Sequence, residues 1–476
     1  MSSQNWLSLL PDALLLLSLP VMFLVNRFRE AKTAKTFYTL AKLFLVLSLL
    51  AVLVFYDYSG YPEWLINNRY TTLFKVIIYL LAFAWFFLSL KWFLNKERSS
   101  LGFYSLSMIY LVMLSLLLSA QHLGIVGAAG LMVMGCNYFM IRLSRDETPE
   151  TQAVQRRYLI FSMIFALALL AGITLLYQGA GSLHYTELYE FLSRPGSVTP
   201  LHLAAIVLVL CGFLYLIALA PFHFWFADVI GTSILPVGGF LTIIPAFALF
   251  GCLADLILNV FFPVYGVIKP LLLGCAVLSI ILGALSANGE NNIRRLFAFA
   301  TLYNLGLVYL CVVKMNDNSL LSAFVYLLVY ILSISGIYTA FFGFKSRGEY
   351  LLKLDDISGI AEVKPYIAAA FLVFMISLIG SPPLLGFLGL LSVLNNLVIQ
   401  GSYLLIVVTL ISLLLIANAY LRVIQAVYFN ERHEDFDRAD YGIYVCLFIN
   451  LMIVLISLLN PRYLMNDVEK ILFAIF

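Results

Sequence analysis

The 476-residue chain is 63% hydrophobic and only 11% charged, and its mean hydropathy is +1.00. Soluble domains carry about 25% charge, so this composition excludes the soluble globular classes and leaves a polytopic membrane protein. The net charge of +3 decides little, because in membrane proteins the placement of Lys and Arg outweighs their sum.

An apolar helix needs about 20 residues to cross about 30 Å of hydrocarbon; on that measure the chain offers about fourteen spans joined by short polar segments. In chain order they lie near 5–26, 36–56, 72–94, 102–119, 122–142, 157–177 and 200–230, then 234–257, 269–288, 294–314, 320–344, 364–397, 402–429 and 440–460. The first has no basic run before it and no small-residue cleavage site after it, so it reads as a span and not a signal peptide. The segment from Thr186 to Leu192 is too short and mixed to cross and reads as interfacial. Alternate joints collect Arg27, Arg29, Lys32 and Lys35; Lys91, Lys96 and Arg98; Arg142, Arg145, Arg156 and Arg157; Arg294 and Arg295; Lys345, Arg347, Lys353 and Lys364; and Arg422, Arg432 and Arg438. About 20 of the 28 basic residues thus share one side, which the positive-inside rule makes cytoplasmic. Both termini are then expected outside. The charged joint from Asn430 to Asp440 reads as a solvated turn.

Two spans are interrupted, at Ala220-Pro221-Phe222-His223-Phe224-Trp225 and at Gly380-Ser381-Pro382-Pro383. Proline removes a backbone donor and clashes with the preceding turn, so a break at membrane depth survives only where protein or a wet cavity satisfies the freed groups. A pair of such breaks in two halves points to an ion or substrate pathway. The expected organisation is an N-terminal three-helix segment (1–100), a first repeat (101–257), a second (258–429) and a C-terminal helix and tail (430–476).

Catalytic and ligand motifs are missing. Cys136, Cys211, Cys252, Cys275, Cys311 and Cys446 stand singly in apolar spans, with no CxxC pair for zinc or an iron–sulfur cluster. No phosphate loop, dinucleotide fingerprint or zinc helix occurs, and Gly238-Gly239 reads as close helix packing. The scattered basic residues give no nucleic-acid-binding face.

Four runs carry a resemblance. Phe213 to Trp225, ending in Ala-Pro-Phe-His-Phe-Trp, is similar to the broken seventh helix of the antiporter-like subunits of respiratory complex I. Asn292-Ile293-Arg294-Arg295-Leu296-Phe297-Ala298 resembles their Asn-Ile-Lys-Arg-Leu-Leu-Ala run. Gly380 to Gly389 resembles Gly-Ile-Pro-Pro-Thr-Ala-Gly-Phe-Ile-Gly, and Ala419-Tyr420-Leu421-Arg422-Val423 resembles a Tyr-Tyr-Leu-Arg-Val end. Order, spacing and length together resemble the subunit N family of the NADH:quinone oxidoreductase, subunit 2 in mitochondria. The resemblance implies an all-α fold of two inverted five-helix repeats with two broken helices, each repeat holding a half-channel. It also implies a place among other membrane subunits in a bilayer, a bacterial inner membrane as location, and flavin, iron–sulfur clusters and quinone carried by partner subunits and not by this chain.

The chain departs from that pattern at its charges. The family's glutamate of the fifth span falls on Leu131, and the lysines of the seventh, eighth and twelfth spans fall on Leu216, Ala246 and Leu390. The polar residues left as proton-path candidates are His223 in the first break, Asp255, Arg157, Asn304 at the family's frequent histidine, and Asn395 beside Asn396. Tyr215, Thr242 and Ser392 are further neighbours of the vacant positions. Each has a bland alternative: a helix-end hydrogen bond for His223, the interface for Asp255, snorkelling for Arg157, interhelical bonding for Asn395 and Asn396. Lys42 and Lys75, near helix ends, invite the same reading, and Arg294 and Arg295 read as anchors of their helix. Three functions stay open: a complex I membrane subunit with a reduced or lost proton path, a structural antiporter-like module, and a cation/proton antiporter subunit.

Overall fold

A computed structural model describes residues 5–28, 34–55, 64–96, 100–143, 148–311, 317–431 and 435–459. Arg29, Lys32, Arg98, Arg145, Arg432 and the tail beyond 459, with the C-terminus, lie outside the described residues. The chain is an all-α polytopic membrane protein that packs as two units, Met1–Ala218 with Thr232–Pro270, and Leu219–Gly231 with Leu271–Phe476.

The first unit opens with α1 (Leu10–Phe28), α2 (Ala34–Val54), α3 (Arg69–Lys96), α4 (Leu101–Ser119) and α5 (Leu123–Leu143). Helix α6 (Pro149–Ala180) starts where Thr148 accepts the Thr151 N–H and Pro149 takes the first turn, and it stops at Gly181 in a left-handed conformation, the expected start and stop chemistry. The surface helix α7 (Tyr185–Ser193) precedes α8 (Pro200–Ile217). Lipid supplies no hydrophobic drive between helices, so close approach and hydrogen bonds hold them. On α6, Gly172 lies against the backbone of Ala205 and Val209 on α8. The short helices α9 (Phe226–Thr232), α10 (Leu235–Ile243) and α11 (Pro245–Leu256) follow in the chain, then α12 (Tyr265–Gly289); α10, α11 and the start of α12 belong to this unit, whereas α9 up to Gly231 and α12 from Leu271 belong to the second. Proline opens α10 and α11 because its missing N–H is needed only inside a helix. Helix α3 is pinned to α10 and α11 by Trp85 Nε1 donating to Pro236 O (2.8 Å) and Tyr70 OH donating to Gly251 O (2.8 Å).

At one end of this unit His122 stacks on Trp64 (4.6 Å) and meets His184 edge-on (4.8 Å). Burial, and then the neighbouring His184, hold the His122 imidazole below its ordinary 6.5. A base depressed on folding binds fewer protons folded than unfolded, so its contribution is present above 6.5 and lost as pH falls below it. Unfolding midpoints at neutral pH and well below 6.5 should therefore differ more in the wild type than in His122→Phe.

The second unit contains α13 (Ile293–Leu310), capped by Asn292 accepting from the Arg294 and Arg295 N–H groups, and α14 (Asp317–Gly343). A hairpin of β1 (Lys345–Ser346) and β2 (Glu349–Tyr350) pairs Lys345 with Tyr350. Its turn, with Arg347 and Gly348 at positive φ, is clamped by Asp437, which accepts from both N–H groups at 3.1 and 2.7 Å. The Asn430–Asp440 joint is thus in part a cap and not only a solvated turn. Then come α15 (Ile360–Val363), α16 (Pro365–Ile379), α17 (Leu385–Ile399), α18 (Tyr403–Phe429) and α19 (Tyr441–Leu459). Arg295 is more than an interfacial anchor, since it bridges Asp228 of α9 (3.3 Å) and Glu290 (3.2 Å).

Among the described residues 10 helices are long and apolar enough to cross a membrane, or up to 11 with the pair Asp355–Val363 and Pro365–Ile379, bent by 117°. The sequence suggests about fourteen, and the difference has identifiable sources. Arg294, Arg295 and Asn304 lower the hydropathy of α13. Leu385–Ile399 and Tyr441–Ile456 are apolar but short. Leu235–Gly289 counts once although it is 55 residues long, about 80 Å as helix against about 30 Å of hydrocarbon.

Candidate functional site

Both breaks are built alike. Helix α8 ends at Ala218, in the left-handed region at φ 63, with its N–H directed at the Leu214 and Tyr215 carbonyls. Helix α16 ends at Gly380, φ 76, with its N–H directed at the Ile376 and Ser377 carbonyls. Three residues later each chain has a cis proline, Pro221 and Pro383. Ala218 carries a Cβ where glycine is preferred. We expect Ala218→Val, β-branched in a left-handed position, to cost roughly 1–2 kcal/mol and to lower the unfolding midpoint in detergent, with Ala218→Gly showing no such loss.

Around the second break lies a cage of neutral polar groups. A cavity of about 10 Å³ is lined by Asn304, Tyr326, Tyr330, Ser333, Ser377 and Leu390, among others. That volume is about one water. Tyr326 OH donates to Asn304 Oδ1 (2.7 Å), and Asn304 Nδ2 donates to Ala300 O (2.7 Å) and reaches the Tyr420 hydroxyl (3.3 Å). Tyr330 OH donates to Thr301 Oγ1 (2.7 Å), which donates to Phe297 O (2.7 Å). Ser333 and Ser377 hydroxyls meet at 2.9 Å, and Ser333 also donates to Val329 O. The donor chains of Thr301 and Ser333 end on a carbonyl one turn back in their own helix, which accepts a hydrogen bond but passes no proton onward. Asn304 bonds Ala300 O in the same way and also links Tyr326 to Tyr420, through neutral groups only. Leu390, 6% exposed, lines the same cavity and stands against the break, its Cδ2 3.0 Å from where a Gly380 side chain would begin. Among the described residues no Asp, Glu, Lys, Arg or His lines the cavity.

The first unit repeats the theme. Asn137 on α5 is 2% exposed and faces the hydroxyls of Tyr110 on α4 and Tyr158 on α6; Tyr158 OH donates to Met134 O (3.1 Å). Leu216, 5% exposed, lays Cδ1 over Gly130 beside Leu169. Leu131 and Ala246 are half-buried on α5 and α11.

Of the residues singled out in sequence, only Asn304 joins a cage, and it shares that cavity with the vacant position Leu390. His223 is half-buried in the first break, its carbonyl accepting the Phe226 N–H (2.9 Å) that opens α9. Asp255 does not reach a surface: it is buried, accepts from Asn259 Nδ2 (2.7 Å) and lies near Tyr185 and Cys252. Arg157 is exposed on α6. Asn395 is exposed, whereas Asn396 is buried and binds Cys311 O (3.1 Å) and Gln400 (2.9 Å). Tyr215 stacks on Phe165 (4.7 Å) and its hydroxyl donates to Tyr158 O on α6 (3.5 Å); Thr242 donates to Gly238 O (2.8 Å) and Ser392 to Gly389 O (2.7 Å), so those two hydroxyl donors are used locally. Missed in sequence were Tyr326, Tyr330 and Ser333, although their spacing marks one face of a helix.

Residues 128–415 match the family described as NADH:quinone oxidoreductase/Mrp antiporter, TM. The chain belongs to this family. The antiporter-family chain is 27% identical over 437 residues to the NADH-quinone oxidoreductase subunit N of Rhodospirillum rubrum, covering 90% of this chain and 88% of the relative. Its fold is similar to a chain of respiratory complex I from Thermus thermophilus (TM-score 0.80, 23% identity, 96% and 98% of the two chains). It is also similar to a chain of the membrane-bound sulfane sulfur reductase, an archaeal respiratory membrane complex (TM-score 0.87, 15% identity, 98% of both chains). Both likenesses are chains of membrane assemblies, and this antiporter-family chain is a multi-pass integral membrane protein.

Proposed function

We propose that this chain is the subunit N-like membrane subunit of a proton-translocating NADH:quinone oxidoreductase, with its own proton path reduced or lost. It sits among other membrane subunits in a bacterial inner membrane with both termini outside the cytoplasm. Its two broken-helix repeats, 101–257 and 258–429, are retained as scaffold. Electron transfer, with its flavin, iron–sulfur clusters and quinone, belongs to partner subunits. Among the described residues no group of three His, Cys, Asp or Glu is placed to hold a metal ion.

The observation that carries this reading is the second cage, where Leu390 and Asn304 line a cavity whose lining, among the described residues, is neutral throughout. A proton carried through such a cavity needs a station that accepts charge near neutral pH; buried lysine or histidine serves, whereas neutral hydroxyls and amides do not. Affinity purification of the tagged chain from mildly solubilised membranes tests the membership. The expected result is a multi-subunit assembly that reduces quinone with NADH; recovery of the chain alone, or with cation-antiporter subunits and no redox proteins, would overturn it.

A further inference from the structure

The ionisable groups this chain does bury in close association lie far from either break in sequence. Asp12 in the first turn of α1 is 7% exposed and Lys75 in the second turn of α3 is 3% exposed. Lys75 is the cation acting on the Asp12 carboxylate, and Tyr79 on α3 and Ser115 on α4 are the hydroxyls that face it. Asp12 Oδ1, Tyr79 OH and Ser115 Oγ are all buried and none completes a well-formed hydrogen bond, although the two hydroxyls lie close enough to favour the carboxylate. The ammonium is held elsewhere: Lys75 Nζ donates to Asn67 Oδ1 (2.8 Å), which also accepts from Ser119 Oγ (3.2 Å).

A structural ion pair would let the ammonium satisfy the carboxylate directly, since an orphaned buried oxygen is costly. Here the two charges are split between an amide and a trio of converging oxygens. The trio offers donors and acceptors in a space already flanked by a positive charge. Among the described residues no three His, Cys, Asp or Glu side chains gather to hold a metal ion, and the carboxylate opposes an anion, which leaves the proton as the species the site can take up. Asn67 leads toward a surface: it lies in a bridge where Ile66 N–H donates to Ser119 O and Gln121 N–H to Trp64 O (2.8 and 2.9 Å), and Trp64 is 46% exposed.

We propose that Asp12, with Lys75, Tyr79 and Ser115, forms a buried proton-exchange site in the N-terminal helices, open to the Trp64 end of the bundle through Asn67 and Ser119. Loading transfers a proton from hydronium to Asp12 Oδ1 and leaves water; unloading is the reverse, and Lys75 keeps its proton throughout. Among the described residues, the ionisable groups acting on Asp12 are Lys75 and Tyr79, and the Ser48 hydroxyl of α2 is engaged with Pro11 O (2.9 Å).

The test is infrared difference spectroscopy of the purified assembly after pH steps in H₂O and in D₂O. The expected result is a protonated-carboxyl C=O band that Asp12→Asn removes and Asp255→Asn leaves, and whose midpoint moves by about one pH unit or more in Lys75→Gln. If Asp12→Asn or Lys75→Gln does not assemble, Tyr79→Phe, which changes no charge, must shift the frequency of the band. A wild-type spectrum without a titrating carboxyl band, a band that survives Asp12→Asn, or one unmoved by Lys75→Gln or by Tyr79→Phe would overturn the proposal.

Discussion

Gly386→Ala is expected to prevent the chain from folding in the membrane. A Cβ at Gly386 would run into the carbonyl group of Ser377 on α16, and the obstacle is backbone, not a side chain that can rotate aside. The two halves of the second broken helix meet there, so relief would require separating α17 from α16 and from α14, where Gly389 rests on Tyr326. Overpacking of this kind costs about 3 kcal/mol or more, a large share of a marginal stability. The amount of full-length chain in membranes and its unfolding midpoint in detergent provide the measurement. Gly380→Ala, at φ 76, meets backbone strain of roughly 1–2 kcal/mol and should fall between wild type and Gly386→Ala. Wild-type levels of Gly386→Ala would show that the helices do not pack as described.

Leu390→Lys is expected to destabilise the assembly by about 3–5 kcal/mol while the ammonium stays charged, without adding to proton transport. The resemblance would put a lysine at this position, so the change looks like a restoration. The surroundings do not support it. Among the described residues no carboxylate lines the cavity, and its volume of about 10 Å³ leaves little room for solvating water. Leu390→Met, apolar and of similar volume, should cost less than about 1.5 kcal/mol. Thermal unfolding of both variants with wild type in one detergent makes the comparison. A Leu390→Lys protein as stable as wild type and transporting more protons would mean that a partner charge reaches the cavity.

What the sequence made legible follows from how local each signal is. The two breaks were readable because Pro221, Gly380, Pro382 and Pro383 act on the turn in which they stand. Leu216 and Leu390 could be singled out because each is counted from a proline or glycine a few residues away. Face selection was not readable at the end of α17. Neighbouring residues of a helix point about 100° apart, and packing turned Asn396 inward and Asn395 outward. The second cage draws on α13, α14, α16, α17 and α18, so Asn304 was visible but its pairing with Tyr326 and Tyr420 was not. Lys75 looked like a residue near a helix end until its helix was packed beside Asp12. Asp437 read as one charge in a solvated turn, since its clamp on the Arg347 and Gly348 amides is a contact between segments distant in sequence.

The central claim is that neutral hydroxyl and amide cages stand where a charge relay would run, in a scaffold otherwise kept. The number of protons moved per electron, measured on the purified assembly in proteoliposomes beside a relative whose matching subunit retains the glutamate and three lysines, tests it most directly. The account predicts a lower ratio for the assembly containing this chain, and no further fall when Tyr326→Phe and Tyr420→Phe are introduced together. Equal ratios in the two assemblies, or a drop on removing those two hydroxyls, would contradict it.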